Sequence, residues 1–141
     1  MVSKTAVHAL RAMVVLAGLP KGVYLGAGAI AKQAGAPQNY LGKLLQTLAR
    51  EGLVISQKGL GGGFRLARDI HEISLFDVVD PIDQLSRWSG CFLGQARCDG
   101  KAPCALHFQW LPLREAYLKL LSETTVADLA ETPELSNNLI G

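Results

Sequence analysis

No apolar run in this chain of 141 residues approaches the roughly 20 needed to cross a bilayer, so no membrane span is expected. Aromatic residues are scarce at 6%, which argues against an aromatic-rich β-sandwich core. Charged residues reach only 18% while about half of the chain is apolar, which argues against disorder and for one compact domain of ordinary size or a small domain plus an extension. There is no internal repeat and no low-complexity segment. Acidic residues are nearly missing from the first half, and cysteine is absent from the first 90 residues.

The shortage of acids is informative. Residues 1–70 hold nine Lys/Arg (Lys4, Arg11, Lys21, Lys32, Lys43, Arg50, Lys58, Arg65, Arg68) against Glu51 and Asp69, a net +7. Residues 71–141 hold five basic and ten acidic side chains, a net −5. A basic half next to an acidic half suggests that the first meets a polyanion and the second has another task. The N-terminal MVSKTAVHALRAMVVLAGL has the basic and apolar character of a signal peptide, but Arg11 interrupts it and its apolar residues recur at helical spacing. It reads as a structural helix, and the protein is expected to be soluble and cytoplasmic.

Residues 5–17 place Ala6, Leu10, Met13, Val14 and Ala17 on one helical face, and Gly18, Pro20 and Gly22 break the pattern. A short helix fits 27–34, ended by Gly35. The next carries Tyr40, Leu41, Leu44, Leu45 and Leu48 inward and reaches about Glu51, with Gly52 as its C-terminal cap. Residues 53–57 and 64–67 read as two strands around the tip KGLGGG. The glycines there lead into a strand, open no helix and lack the Lys-Ser/Thr ending of a P-loop, so nucleotide binding is not expected. SLFD at 74–77 has the form of a capping box opening a helix, with a kink or early stop near Pro81. A long helix is predicted from Pro103 to about Glu123, with Leu106, Trp110, Leu113, Tyr117, Leu120 and Leu121 near one face, followed by a short helix over 126–130.

The fold class is therefore mainly α with a small β-hairpin wing: a winged helix-turn-helix plus a long C-terminal dimerisation helix. The expected domains are 1–70 for DNA binding, 71–85 a connecting helix and 86–102 a cysteine-rich loop, then 103–130 for the dimerisation and final helices and 131–141 a loose tail. In a helix-turn-helix the second helix enters the major groove, and its exposed positions here are Gln38, Asn39, Lys43 and Gln46. Gln and Asn pair bidentately with adenine, and Lys pairs with guanine. Lys58 on the wing tip and Arg65 on its return strand are expected to reach phosphates or a minor groove.

All the sulfur chemistry lies in CFLGQARCDGKAPCALH, with the spacing Cys91-x6-Cys98-x5-Cys104-x2-His107. An odd cysteine count in a cytoplasmic chain argues against a disulfide framework. The lack of a C-x2–4-C knuckle argues against structural zinc. Three thiolates on a loop loosened by Gly94 and Gly100 suit an iron–sulfur cluster, with small core residues or redox thiols as the alternative. Cys104 and His107 lie one helical turn apart. His71 reads as a surface residue.

The stretch QNYLGKLLQTLAREGLVISQKGLGGGFRLAR, followed by ISLFDVV, resembles the core of the Rrf2 family of bacterial winged-helix regulators, in its IscR/NsrR/RirA-like group. The resemblance runs from HALRA through the cysteine loop to TVADL, and GGGFRLAR is its most specific part. It implies a homodimer with crossing C-terminal helices that reads a pseudo-palindromic operator in double-stranded DNA. Asn39, Lys43 and Lys58 match DNA-contacting positions of the family. One departure is Gly42, where a member carries an acidic residue governing operator class, so operator choice stays open. By the same resemblance Cys91, Cys98 and Cys104 match cluster ligands, and His107 matches a fourth. A Cys3His site favours 2Fe–2S. The first gap is one residue longer than in that member, and a 4Fe–4S cluster with another fourth ligand stays open, His8 of the first helix being the candidate although Val7 occupies the aligned position.

Together these observations predict a regulator of transcription, not an enzyme, that senses redox state, iron or nitric oxide through an iron–sulfur cluster held by residues 91–107. No nucleophile–base pair, dinucleotide fingerprint or catalytic zinc signature is present in the sequence. The alternatives are a cluster-free repressor of the same family responding to thiol chemistry or a protein partner, and an iron–sulfur electron-transfer module.

Overall fold

The structure is a computed structural model that describes residues 2–87 and 105–132. Cys91, Cys98, Cys104, Pro103 and residues 133–141 of the expected 131–141 tail lie outside the described residues. Helix α1 (Lys4–Ala17) runs through the middle of the molecule, with Ala6, Ala9, Ala12, Met13 and Leu16 buried. Alanine at three of these positions lets neighbouring elements approach closely, and α1 packs against α2 (Ala27–Ala34), α4 (Leu75–Asp83), α6 (Val126–Ala130) and the second strand. Ser3 caps it by accepting the Ala6 amide at 3.0 Å, while its own amide and hydroxyl donate to the Asp83 carboxylate at the far end of α4.

Helices α2 (Ala27–Ala34) and α3 (Gln38–Arg50) form the helix-turn-helix. The turn is tight because Gly35 takes a left-handed conformation (φ +69°), bringing the Ala36 amide onto the Ala31 carbonyl at 2.9 Å. Four leucines of α3 (Leu41, Leu44, Leu45, Leu48) are buried at helical spacing. Strands β1 (Val54–Gln57) and β2 (Gly63–Leu66) pair antiparallel, with Ile55 opposite Arg65 and Ser56 opposite Phe64. The first strand ends at Gln57 as expected, and the other three boundaries sit one residue from the sequence expectation: Leu53 is buried in the core, and Gly63 pairs with Gln57. Leu25 adds a bridge to β2, exchanging two backbone hydrogen bonds of 2.9 and 2.8 Å with Phe64.

Helix α4 (Leu75–Asp83) opens with the full capping box expected, Ser74 and Asp77 each bonding the other's backbone amide. Pro81 shortens it without stopping it at once. The helix continues two residues beyond the proline and closes at Gln84, whose left-handed backbone (φ 56°) sends its amide to the Asp80 carbonyl at 2.8 Å. A 3-10 turn follows at Leu85–Arg87.

Helix α5 (His107–Glu123) begins four residues later than Pro103 predicts. Its start is set at Leu106, the N-cap, whose carbonyl accepts the Trp110 amide at 2.7 Å. Pro112 sits inside α5, a feature the sequence reading passed over. Helix α6 (Val126–Ala130) has the bounds expected and a second capping box, Thr125 with Asp128.

Two apolar clusters meet along α1. The larger joins Met13, Ile30, Leu41, Leu45, Leu53, Phe64, Val78 and Val126, so a residue of α6 completes the core of the helix-turn-helix. The smaller joins Ala6, Leu75, Val79, Leu85 and Leu121, with Tyr117 and Leu118 packed against it. Backbone bonds from Leu75 to Thr124, Val126 to Ile73 and Ala127 to Ile70 stitch the last helix to the segment before α4. Among the described residues no helix is long and apolar enough to cross a membrane.

Candidate nucleic-acid interface and cysteine segment

With its leucines turned inward, α3 presents the opposite face to solvent. Asn39, Lys43 and Gln46 are exposed and fall on one stripe at i, i+4 and i+7. Arg50 extends the stripe by another turn. Its guanidinium donates to the Thr47 hydroxyl at 3.2 Å, and that hydroxyl donates to the Lys43 carbonyl at 3.2 Å. Arg50 was not picked out from the sequence, although continuing the same periodicity finds it. Gln38 lies at the edge of the stripe and its amide packs back over Gly28 of α2, where a Cβ would stand 3.0 Å from it. Gly42, inside the same face, has open space where a Cβ would project.

The hairpin carries Lys58 exposed at the start of its tip. Arg65 is half-buried on β2, its guanidinium 5.2 Å from the centre of the Tyr24 ring. Such stacking holds a cation in place while keeping its charge. Tyr24 carries no motif, and only the Leu25–Phe64 bridge brings its segment beside Arg65.

Of the candidate metal ligands, the three cysteines lie outside the described residues. His107 is the first residue of α5, 4% exposed, with its ring edge-on to Phe108 at 4.9 Å. His8 lies in α1, 7% exposed, edge-on to Tyr40 at 5.9 Å on the wall of a depression with Lys4, Thr5, Gly35 and Pro37. Burial, then the nearby Arg11 and Lys4 cations, hold its pKa below the ordinary histidine value. Among the described residues no three His, Cys, Asp or Glu side chains converge as metal ligands would. His71 is exposed as expected, and its Nδ1 lies 2.8 Å from the Asp69 carboxylate.

Helix α5 differs from α3 in what it leaves open. Leu113 and Leu120 are 64% and 59% exposed, one heptad apart and about a quarter-turn round the helix from the buried Leu121, and Phe108 near its start is 71% exposed. Of the six residues grouped from the sequence, Leu121 faces the core while Leu113 and Leu120 do not.

A helix-turn-helix closed by a β-hairpin and followed by a long helix defines the winged-helix class of DNA-binding regulators. The profile of the Rrf2 family, described as iron-dependent transcriptional regulator, matches residues 2–132, and the chain belongs to that family. It is a family of transcriptional regulators, not of enzymes. The transcriptional regulator IscR of Vibrio campbellii is 31% identical over 106 residues, which cover 75% of this chain and 62% of that protein. The oxidised form of Staphylococcus aureus CymR superimposes with a TM-score of 0.73 at 26% identity, covering 93% of this chain and 96% of the other. T. potens IscR shares the fold with a TM-score of 0.70 at 24% identity, covering 91% and 84%.

Proposed function

We propose that this Rrf2-family regulator acts as a homodimer that reads a pseudo-palindromic operator and senses redox state, iron or nitric oxide through an iron–sulfur cluster held by residues 91–107. The observation that carries the DNA half is the outward stripe of Asn39, Lys43, Gln46 and Arg50 on a helix whose other face is fully buried. Asn39 and Gln46 offer amide groups to base edges, Lys43 and Arg50 offer cations to bases or phosphates, and Gln38 contributes from the edge. Lys58 and the Tyr24-braced Arg65 extend the contact along the hairpin. The exposed Leu113 and Leu120 support a two-fold pairing through α5, which presents two copies of α3 to two half-sites.

The cluster half rests on donor chemistry. Cys91, Cys98 and Cys104 supply soft thiolates, the ligands that iron–sulfur clusters take. His107 follows the third cysteine by three residues and is held inward at the start of α5, which suits a fourth ligand of a 2Fe–2S cluster. A 4Fe–4S cluster would draw its fourth ligand elsewhere, with His8 as the candidate. A bound cluster supplies a centre that electrons, iron loss or nitric oxide can change. The protein side of the relay is packing: α5 lies on α4, and α4 lies on α1 and α3, so a shift at the base of α5 bears on the spacing of the two recognition helices.

Anaerobic reconstitution tests this reading. The protein should take up iron and sulfide with visible absorption, lose both in Cys98→Ala or Cys104→Ala, and change its Mössbauer signature in His107→Ala. A colourless preparation free of iron and sulfide would overturn it. The likeness to Staphylococcus aureus CymR supports a second reading, a repressor responding to thiol chemistry or to a protein partner. DNA binding that is unchanged when the cluster is removed decides for that one.

A further inference from the structure

The hairpin tip has a property that neither the stripe on α3 nor the cysteines explain. Between Lys58 and Phe64 every residue is glycine except Leu60, and Leu60 is fully exposed at 108% of its reference area. A single exposed leucine on a protein surface is ordinary. This one is presented by a backbone that excludes other side chains. The Gly62 amide bonds the Gly59 carbonyl at 3.0 Å, making a turn with Leu60 and Gly61 at its centre, and Gly61 takes φ +76° as a type II turn requires. A Cβ on Gly62 would stand 2.2 Å from the Gln57 carbonyl oxygen, and one on Gly63 would stand 2.4 Å from that of Leu25. Neither contact can be relieved by a side-chain rotation, because both partners are backbone.

The base is as firm as the tip is bare. Leu25 braces β2 through its two hydrogen bonds to Phe64, and Phe64 is buried in the main core. The outcome is a narrow protrusion on an anchored base, ending in one branched apolar side chain, with Lys58 at its shoulder and no acidic residue from Gln57 to Leu66.

We infer that Leu60 is an apolar wedge that enters the minor groove of double-stranded DNA and partly unstacks a base step there. The inference rests on the DNA-binding reading above and adds to it a residue that bends the duplex. A tip almost without side chains suits a groove about 6 Å wide, and the chemistry inside such a groove is apolar between base planes and anionic at its rims. Leu60 meets the first and Lys58 the second. Charge complementarity favours DNA as the occupant, since residues 1–70 carry +7. The nearest exposed apolar residues in sequence, Val23 and Ile55, lie outside the tip, which leaves too small a patch for a protein partner.

The probes are duplexes enriched from a randomised library by the full wild-type chain, with 2-aminopurine placed at successive steps and bending read by circular permutation. Leu60→Ala should keep the wild-type melting temperature, bind the same duplexes roughly tenfold more weakly, reduce the bend and abolish the 2-aminopurine increase. Lys58→Ala should lose affinity and about one unit of salt slope while keeping the bend. A Leu60→Ala protein with wild-type affinity and bend overturns the wedge, as does one that loses affinity with bend and fluorescence unchanged. If the wild type enriches no duplex, the DNA-binding reading itself falls and takes the wedge with it.

Discussion

Helices α3 and α5 both carry many apolar residues, yet only α3 is finished within the chain. On α3 the inward leucines are buried and the outward residues are polar or cationic, so each face already has a suitable environment in a single molecule in water. On α5 only His107 and Leu121 are buried, while Phe108, Leu113 and Leu120 stand open over a helix of 17 residues. The contrast separates two kinds of surface. One is suited to stay in water until a polyanion arrives, and the other leaves apolar area that a second copy would cover in the homodimer we propose.

The comparison can be broken from either side, and the largest effects belong to the buried face of α3. Leu45→Ala removes a fully buried side chain and should lower stability by about 2–5 kcal/mol in urea denaturation. A far smaller loss would mean that α3 is not anchored as described. Leu113→Glu combined with Leu120→Glu should leave the fold of the monomer intact and raise the dimer dissociation constant by at least roughly a hundredfold, read by sedimentation. An unchanged mass would assign α5 another role.

The outward face of α3 gives smaller effects. Lys43→Ala should weaken binding to an enriched duplex by roughly tenfold and reduce the salt slope by about 1, with the melting temperature unmoved. Gly42→Ala sharpens the contrast further. It should stabilise α3 by about 0.5–1 kcal/mol, because glycine is a poor helix residue and the Cβ meets open space, while lowering DNA affinity if that space is where the duplex approaches.

The smallest effect is a titration. The hydrogen bond that the His71 ring makes to the Asp69 carboxylate, and then the charge of that carboxylate, raise the His71 pKa. The His71 backbone amide donating to the Asp69 carboxylate, and then the same side-chain bond, lower the Asp69 pKa. The stabilisation from His71 is complete below the unfolded histidine value of about 6.5 and is lost as pH rises through the raised folded value. That from Asp69 is present above its unfolded value and is lost as pH falls through the lowered one. His71→Ala should flatten a shallow decline in melting temperature on the alkaline side of that window.

Much of the fold was legible because it is local. The stripe at Leu41, Leu44, Leu45 and Leu48, the capping box at Ser74 and the bounds of α6 depend on residues within a few positions of one another. The start of α5 was not legible, since Pro103 suits a first turn but does not compel one. Pro81 was a sounder guide, because a proline removes a helical hydrogen bond and α4 does end two residues beyond it, at Asp83. In the candidate interface, the exposure of Asn39, Lys43 and Gln46 followed from periodicity, and Arg50 would have followed had the stripe been continued. The stacking of Arg65 on Tyr24 could not follow, because it depends on a single bridge between Leu25 and Phe64.

The sequence by itself determined which residues share a face, because helical and strand periods are properties of a few consecutive peptide units. It also determined the charge division between the two halves and the concentration of all three cysteines ahead of α5. Only the tertiary structure decided which of those faces found cover. Val126 closes the core from the far end of the chain, Leu121 is taken by α4 and α1, and Leu113, Leu120 and Leu60 are left in water. The reason is that burial depends on what arrives from distant segments, and no local pattern states which apolar residue will be met and which will wait for a partner.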